Sequence, residues 1–278
     1  MGKSFVKSII LCADDYGQSD DISQGIIQLL QHQRLSATSC MTNMPNWTNH
    51  GALLKQQSGP FATGLHFNLT EGTALSKSEK LGATKGFPSL ARLLWMCFTK
   101  QLTKTIIERE LIAQLEKFKK VMGKWPDFID GHQHVHHFPV VREALLSVYQ
   151  QYFPANHLYI RHVKTNLWHG DFKVKRLLLN YTGAKALHKH LKRQAIPSNS
   201  SFSGVYDFSA NSNYRALFQN FCRDSRDGGL IMCHPGLKSA DYSDPIYKTR
   251  FLEFQYFMSE EFIQDCKALN IKLCSSPI

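Results

Sequence analysis

The chain has 278 residues, 43 % of them hydrophobic, enough to bury one sizeable core. Its net charge is +11, but the basic residues are dispersed and carry neither zinc-finger spacing nor an RNA-binding aromatic signature, so nucleic acid is not the expected partner. No apolar run reaches the roughly 18 residues a membrane span needs, so no transmembrane helix is expected.

The apolar N-terminal run is too short for a signal peptide and leads straight into charge, so it reads as a first strand. The strand candidates in chain order are 5–13, 37–44, 61–69, 127–132, 157–164, 229–234 and 270–274. Between them, apolar spacing predicts helices over 20–33, 46–57, 104–122, 139–152, 173–194, 211–223 and 247–269. Pro139 stands where a first helical residue is expected. Residues 71–90 and the Ser-rich stretch 195–210 read as loops, the second as a long surface loop. Seven cysteines without any CxxC spacing, several of them within apolar runs, fit reduced and buried thiols in a cytoplasmic protein.

Alternating strands and helices without a linker predict a single α/β domain over 1–278 with a mostly parallel sheet. About seven strand–helix units suit a (β/α) barrel, TIM-like but distorted or incomplete; a doubly wound open sheet is the rival. Both architectures gather function at the carboxyl ends of the strands. The polar residues fall there: Asp14 and Asp15 after the first strand, His66 and Asn68 on the third, and the run Asp130-Gly131-His132-Gln133-His134-Val135-His136-His137 after the fourth. Arg161 and His162 lie on the fifth, and His234 closes the sixth.

Two adjacent carboxylates at a strand end repel unless a cation sits beside them. Four histidines within the six residues 132–137 rarely serve packing. Together they point to a divalent metal held by one carboxylate and two imidazoles, with open positions for water and substrate. One aspartate is then a ligand and the other a free base, and Asp130 is placed to orient a liganding imidazole through its second ring nitrogen. The zinc-protease pattern HExxH, the GxSxG elbow and the phosphate-binding GxxxxGK[ST] loop are all absent.

The blocks "CADDYG", "TGLHFNLTEG", "DGHQHVHHFP" and "MCHPG", in this order, resemble the YdjC-type carbohydrate deacetylases, whose best-known members act on chitooligosaccharides. The resemblance implies a distorted (β/α) barrel, one divalent metal ion (Mg, Zn or another) and hydrolysis of an N-acetyl group from an amino sugar. It implies Asp15, His66 and His132 as metal ligands, Asp14 as general base, and His234 as proton donor or oxyanion stabiliser. His134 joins Asp130 in support of the ligands. Asn68, Arg161 and Tyr16 are candidate contacts to the N-acetylated sugar, and Trp47 and Trp168 are candidate stacking platforms. A homodimer is a family-based expectation. The sequence departs from the family pattern at Cys12-Ala13, at Tyr16 and at Gln133, none of which is a proposed ligand. A metal-dependent phosphoesterase on the same barrel and a non-catalytic sugar-binding relative are the competing readings.

Overall fold

A computed structural model describes residues 6–155, 158–165, 177, 179–239 and 242–277. Its centre is a parallel sheet: β1 (Lys7–Tyr16), β2 (Ala37–Cys40), β3 (Ala62–Phe67), β4 (Phe128–Gly131), β5 (Tyr159–Ile160), β6 (Phe202–Ser203), β7 (Gly229–Cys233) and β8 (Ile271–Leu273). The strands run side by side in the order β5, β4, β3, β2, β1, β7, β6, and β8 pairs with the start of β1. Around it lie α1 (Asp20–Gln31), α2 (Trp47–Lys55), α3 (Leu90–Phe98), α4 (Lys104–Met122), α5 (Pro139–Tyr152), α6 (Lys185–Arg193), α7 (Tyr214–Asp224), α8 (Tyr247–Met258) and α9 (Glu260–Ala268).

The sheet curls into an incompletely closed barrel. No ladder joins β5 to β6 among the described residues; isolated bonds hold that seam. The Ile160 N–H donates to the Pro197 carbonyl at 3.0 Å. The Asn199 side chain accepts from the His162 N–H at 2.9 Å and donates to the His162 carbonyl at 3.0 Å.

Strand alternation sorts the core. Ile9, Leu11 and Ala13 pack outward under the helices, as do Ile231 and Cys233. Leu65, Ile129 and Ile160 do the same on the other half. Ile10, Cys12, Ala37, Ala62, Phe128, Tyr159, Phe202, Leu230 and Met232 fill the interior. Gly64 belongs to the interior set because the Phe128 ring occupies its side-chain space: a Cβ there would lie 2.2 Å from Phe128 Cε2.

Several boundaries differ from the sequence reading. The stretch 195–210 is not a surface loop: it supplies β6 and buries Ile196, Asn199, Val205 and Tyr206. The helix expected over 247–269 is two, because Ser259 leaves helical geometry and its side chain caps α9 at the Phe262 N–H. α3 was not expected; its Ser89 cap is the signal, weakened by exposed Leu90, Trp95 and Phe98. Of the helix expected over 173–194, residues 177 and 179–194 are described: a π-helical turn over Asn180–Ala184, broken at Gly183 with φ 136°, leads into α6; Trp168 lies outside the described residues. All seven cysteines are unpaired, five of them buried. Among the described residues, no helix is long and apolar enough to cross a membrane.

Candidate metal centre

The same alternation that fills the barrel builds its mouth. Two residues beyond an interior residue, six of the strands deliver one polar side chain each: Asp14 after Cys12, Ser39 after Ala37, His66 after Gly64, Asp130 after Phe128, Arg161 after Tyr159, and His234 after Met232. Asp15 falls outside this pattern and would face outward on a regular strand. It does not, because the β1–β2 register shifts between Ala13 and Tyr16 and Asp15 adopts φ 69°. Such a bulge re-aims a side chain, and aspartate is among the few non-glycine residues that tolerate the left-handed region. Asp14 and Asp15 therefore both enter the mouth, each nearly inaccessible to solvent.

The two aspartates meet different cations. The Arg161 guanidinium, fully buried, donates Nη1 to Asp14 Oδ2 and Nη2 to Asp14 Oδ1, both at 2.7 Å, and pairs with Asp130 Oδ2 at 2.5 Å. Asp130 Oδ1 in turn holds His66 Nδ1 at 2.6 Å and the Ser39 hydroxyl at 2.5 Å. Burial would raise Asp14, but Arg161 overrides it and holds the carboxyl down at about 2. Asp15 Oδ1 faces His132 Nδ1 at 2.8 Å and His66 Nε2 at 3.3 Å, while Asp15 Oδ2 accepts from Arg250 Nη2 at 2.8 Å. Burial acts against ionisation there too, and Arg250 and His132 overcome it, holding Asp15 well below the usual carboxylate range.

One oxygen or nitrogen from each of Asp15, His66 and His132 lies within 4.8 Å of the others, and all three residues are buried. This donor set fits a divalent cation. Because Asp130 takes Nδ1 of His66, the nitrogen left to a ligand is Nε2, with its tautomer fixed from behind. His132 Nε2 has no hydrogen-bond partner. Charge points the same way. Among the described residues, Asp14, Asp15, Asp130 and Asp244, the last bound to Arg250 Nε at 2.5 Å, share only two guanidiniums. Two negative charges are left over. Burial lowers His66, but Asp130 and Asp14 outweigh it and lift the imidazole to about 10, so without metal a proton supplies part of the missing charge. A second grouping of possible donors, Cys12, Asp14 and Asp130, already has its cation in Arg161.

Residues 8–268 match the family model described as YdjC-like protein. The chain belongs to that family. It is 36 % identical over 232 residues to a chitooligosaccharide deacetylase of Proteus mirabilis, covering 82 % of this chain and 80 % of that protein. A chitooligosaccharide deacetylase of Yersinia enterocolitica is 35 % identical over 142 residues, 51 % of this chain and 55 % of the relative, so that match spans little more than half of it. A solved structure, a putative cellobiose-phosphate cleavage protein of Enterococcus faecalis, superposes with a TM-score of 0.74 at 19 % identity over 98 % of both chains, which shows the shared fold.

In this YdjC-like chain the expected sugar contacts are engaged elsewhere. Asn68 accepts the Thr70 and Glu71 N–H groups and donates to Asn43 Oδ1 and the Glu71 carbonyl, bracing the loop after β3. Tyr16 donates its hydroxyl to the His50 carbonyl at 2.6 Å within the core. Arg161 turns both terminal nitrogens to Asp14 and Asp130, while its Nε has no hydrogen-bond partner among the described residues. Trp47 is buried, stacked on Phe118 at 5.9 Å. His134 sits edge-on to Phe202 with ring centroids 5.6 Å apart, and its Nδ1 has no hydrogen-bond partner among the described residues. Its backbone, like that of Gln133, is left-handed, with φ 61° and 50°.

His234 is fixed through its backbone N–H, which donates to Glu253 Oε2 at 2.5 Å. Burial depresses its imidazole to about 4, with Asp15 and Asp14 opposing. Glu253 also accepts the Tyr206 hydroxyl at 2.5 Å, and burial raises it to about 7. Sequence reasoning missed Ser39, Arg250 and Glu253. The last two carried a readable mark: they occupy the buried stripe of α8 with Thr249, Tyr256 and Phe257, at positions where apolar residues belong.

Proposed function

We propose that the protein is a metal-dependent carbohydrate N-deacetylase that hydrolyses the acetamide of an N-acetylated amino sugar. The observation that carries this reading is the convergence of Asp15, His66 and His132 beside a second, differently held carboxylate, Asp14. The names of the Proteus and Yersinia relatives support the substrate class.

In this scheme Asp15, His66 and His132 hold one divalent ion, which when bound polarises the acetyl carbonyl and acidifies a water molecule. Asp14 accepts the proton of the attacking water. Arg161 keeps it ionised and aimed, while each of its oxygens retains a lone pair for that proton. Asp130 fixes His66 and shares Arg161 with Asp14, so base and ligand are oriented by one network. His234, kept neutral by burial, hydrogen-bonds the developing oxyanion or the leaving nitrogen. The nearby carboxylates stabilise its imidazolium when a proton passes through it. Because Arg161 fills the Cys12–Asp14–Asp130 grouping, a single ion per chain is expected, which favours deacetylation over a two-metal phosphoesterase.

Acetate release from N-acetylglucosamine oligomers, measured with and without chelator, tests the reading. Chelator-sensitive acetate release supports it. Metal-replete protein that releases no acetate from any N-acetylated sugar refutes it.

A further inference from the structure

The open seam between β5 and β6 contains a cavity of about 660 Å³, well away in composition from the acidic mouth. Among the described residues, its cationic lining comes from Lys164 after β5, Lys185 and Lys192 on α6, and Arg226 before β7, with His162 and His188 between them. Asp224 is the one carboxylate among the described lining residues. None of the four cations forms an ion pair among the described residues. Four like charges around one concavity repel unless an anion joins them.

A second observation is independent of charge. His162 is 2 % exposed, and its Nε2 has no hydrogen-bond partner among the described residues. Its Nδ1 accepts from the Lys164 N–H at 3.3 Å, which puts the ring proton on Nε2. A buried N–H donor thus lines the cavity unsatisfied, a state that costs free energy until an acceptor arrives. His188 packs edge-on to it with ring centroids 4.4 Å apart, and its Nδ1 is likewise unpartnered. Burial, with help from His188 and the nearby lysines, pushes His162 down to about 3, so it meets a ligand as a neutral donor. The Asn199 bridge holds His162 in place from the other side of the seam.

We propose that this seam cavity is a binding site for a phosphate-type oxyanion, gripped by Lys164, Lys185, Lys192 and Arg226 and hydrogen-bonded by His162. Its volume lies in the range of small-molecule sites and exceeds what inorganic phosphate fills, so the oxyanion can come as free phosphate or as the phosphoryl group of a small molecule. The site shares none of its residues with the metal centre and does not depend on the deacetylase reading.

Calorimetric titration of the whole protein with inorganic phosphate and with glucose 6-phosphate, against sodium chloride at equal ionic strength, tests this. Saturable one-to-one binding is expected, weakened about tenfold or more in the Lys164→Gln/Lys192→Gln variant, whose changes fall on exposed side chains. Equal affinity for both probes identifies free phosphate as the source, and a clear preference for the ester identifies a phosphorylated molecule. No saturable binding above the chloride control overturns the proposal. So does binding left unchanged in the double variant, which would put the anion elsewhere.

Discussion

Replacing Arg161 by methionine removes the one cation that two buried carboxylates share while keeping most of the side-chain volume. The loss is set by Asp14 first. Its carboxyl lies at about 2 in the folded protein against an ordinary 3.8, a gap worth about 2.5 kcal/mol. Without Arg161 that stabilisation disappears and burial pushes the carboxyl above its ordinary value instead. Asp130 loses its Oδ2 partner at the same time. Breaking a buried pair by removing one member costs roughly 3–5 kcal/mol. For a chain of this length that is a fall in Tm of roughly 10 °C.

The pH dependence separates this cause from simple loss of packing. A depressed carboxyl stabilises the fold above its unfolded value and loses that contribution as pH falls through the folded value. The wild-type benefit from Asp14 is therefore complete at pH 7 and is withdrawn below about 4 towards about 2. In Arg161→Met the folded carboxyl takes up its proton at higher pH, which relieves the stranded charge. Urea denaturation from pH 7 down to pH 4 is expected to show a wide gap between the two proteins that narrows on acidification. Arg161→Lys should recover only part of it, because an ammonium cannot hold Asp14 through two parallel bonds and Asp130 at once. A gap below about 1 kcal/mol at pH 7, or one that does not change with pH, would refute the reasoning.

Asp14→Asn is expected to lower turnover by about 10²–10⁴-fold while metal content, read by elemental analysis, stays at one ion per chain; His132→Ala should lose both. Metal binding at pH 8 should release about one proton, because His66, lifted to about 10, must give it up; titration in buffers of different ionisation enthalpy reads this directly. In the metal-free protein the His66 contribution to stability is complete below about 6.5 and is lost as pH rises through about 10, so alkaline melts of the stripped protein should soften over that window. Gly64→Val forces a branched side chain into the place of the Phe128 ring, 2.2 Å from the new Cβ, and should cost about 1–3 kcal/mol in denaturant melts.

What the sequence made legible follows from which signals are local. Period-two alternation and strand ends are local, so the barrel is legible in the sequence, as is the placement of Asp14, His66, Asp130, His132, Arg161 and His234 at its mouth. Partners fixed by tertiary approach were not. Arg161 is a candidate sugar contact in the sequence, yet its terminal nitrogens are taken by residues 147 and 31 positions earlier in the chain. Asn68 is a candidate sugar contact in the sequence, but its amide closes the turn that follows the strand. Arg250 comes from α8 and meets Asp15 across 235 positions. The short strand β6 has two residues and no periodicity to read. Its place is set by the Asn199 bridge and by pairing with β7.

The adjacent aspartates are separated by backbone rather than by chemistry. On a regular strand, Asp14 would face Arg161 and Asp15 would point under the helices, where a buried carboxylate has no partner. The bulge turns Asp15 inward at a conformational cost of order 1 kcal/mol, and the partners it gains, Arg250, His66 and His132, outweigh that cost. The outcome is asymmetric. Both oxygens of Asp14 are fixed by one guanidinium, which leaves it a well-aimed but weak base. Asp15 keeps one oxygen on Arg250 and turns the other to two imidazoles, one of them proton-laden. Only the second arrangement exposes a set of lone pairs to a common point once His66 is deprotonated. In the proposed scheme, a cation drawn into this mouth by the surplus negative charge would meet its donors at Asp15, and Asp14 would stay beside it without being consumed as a ligand.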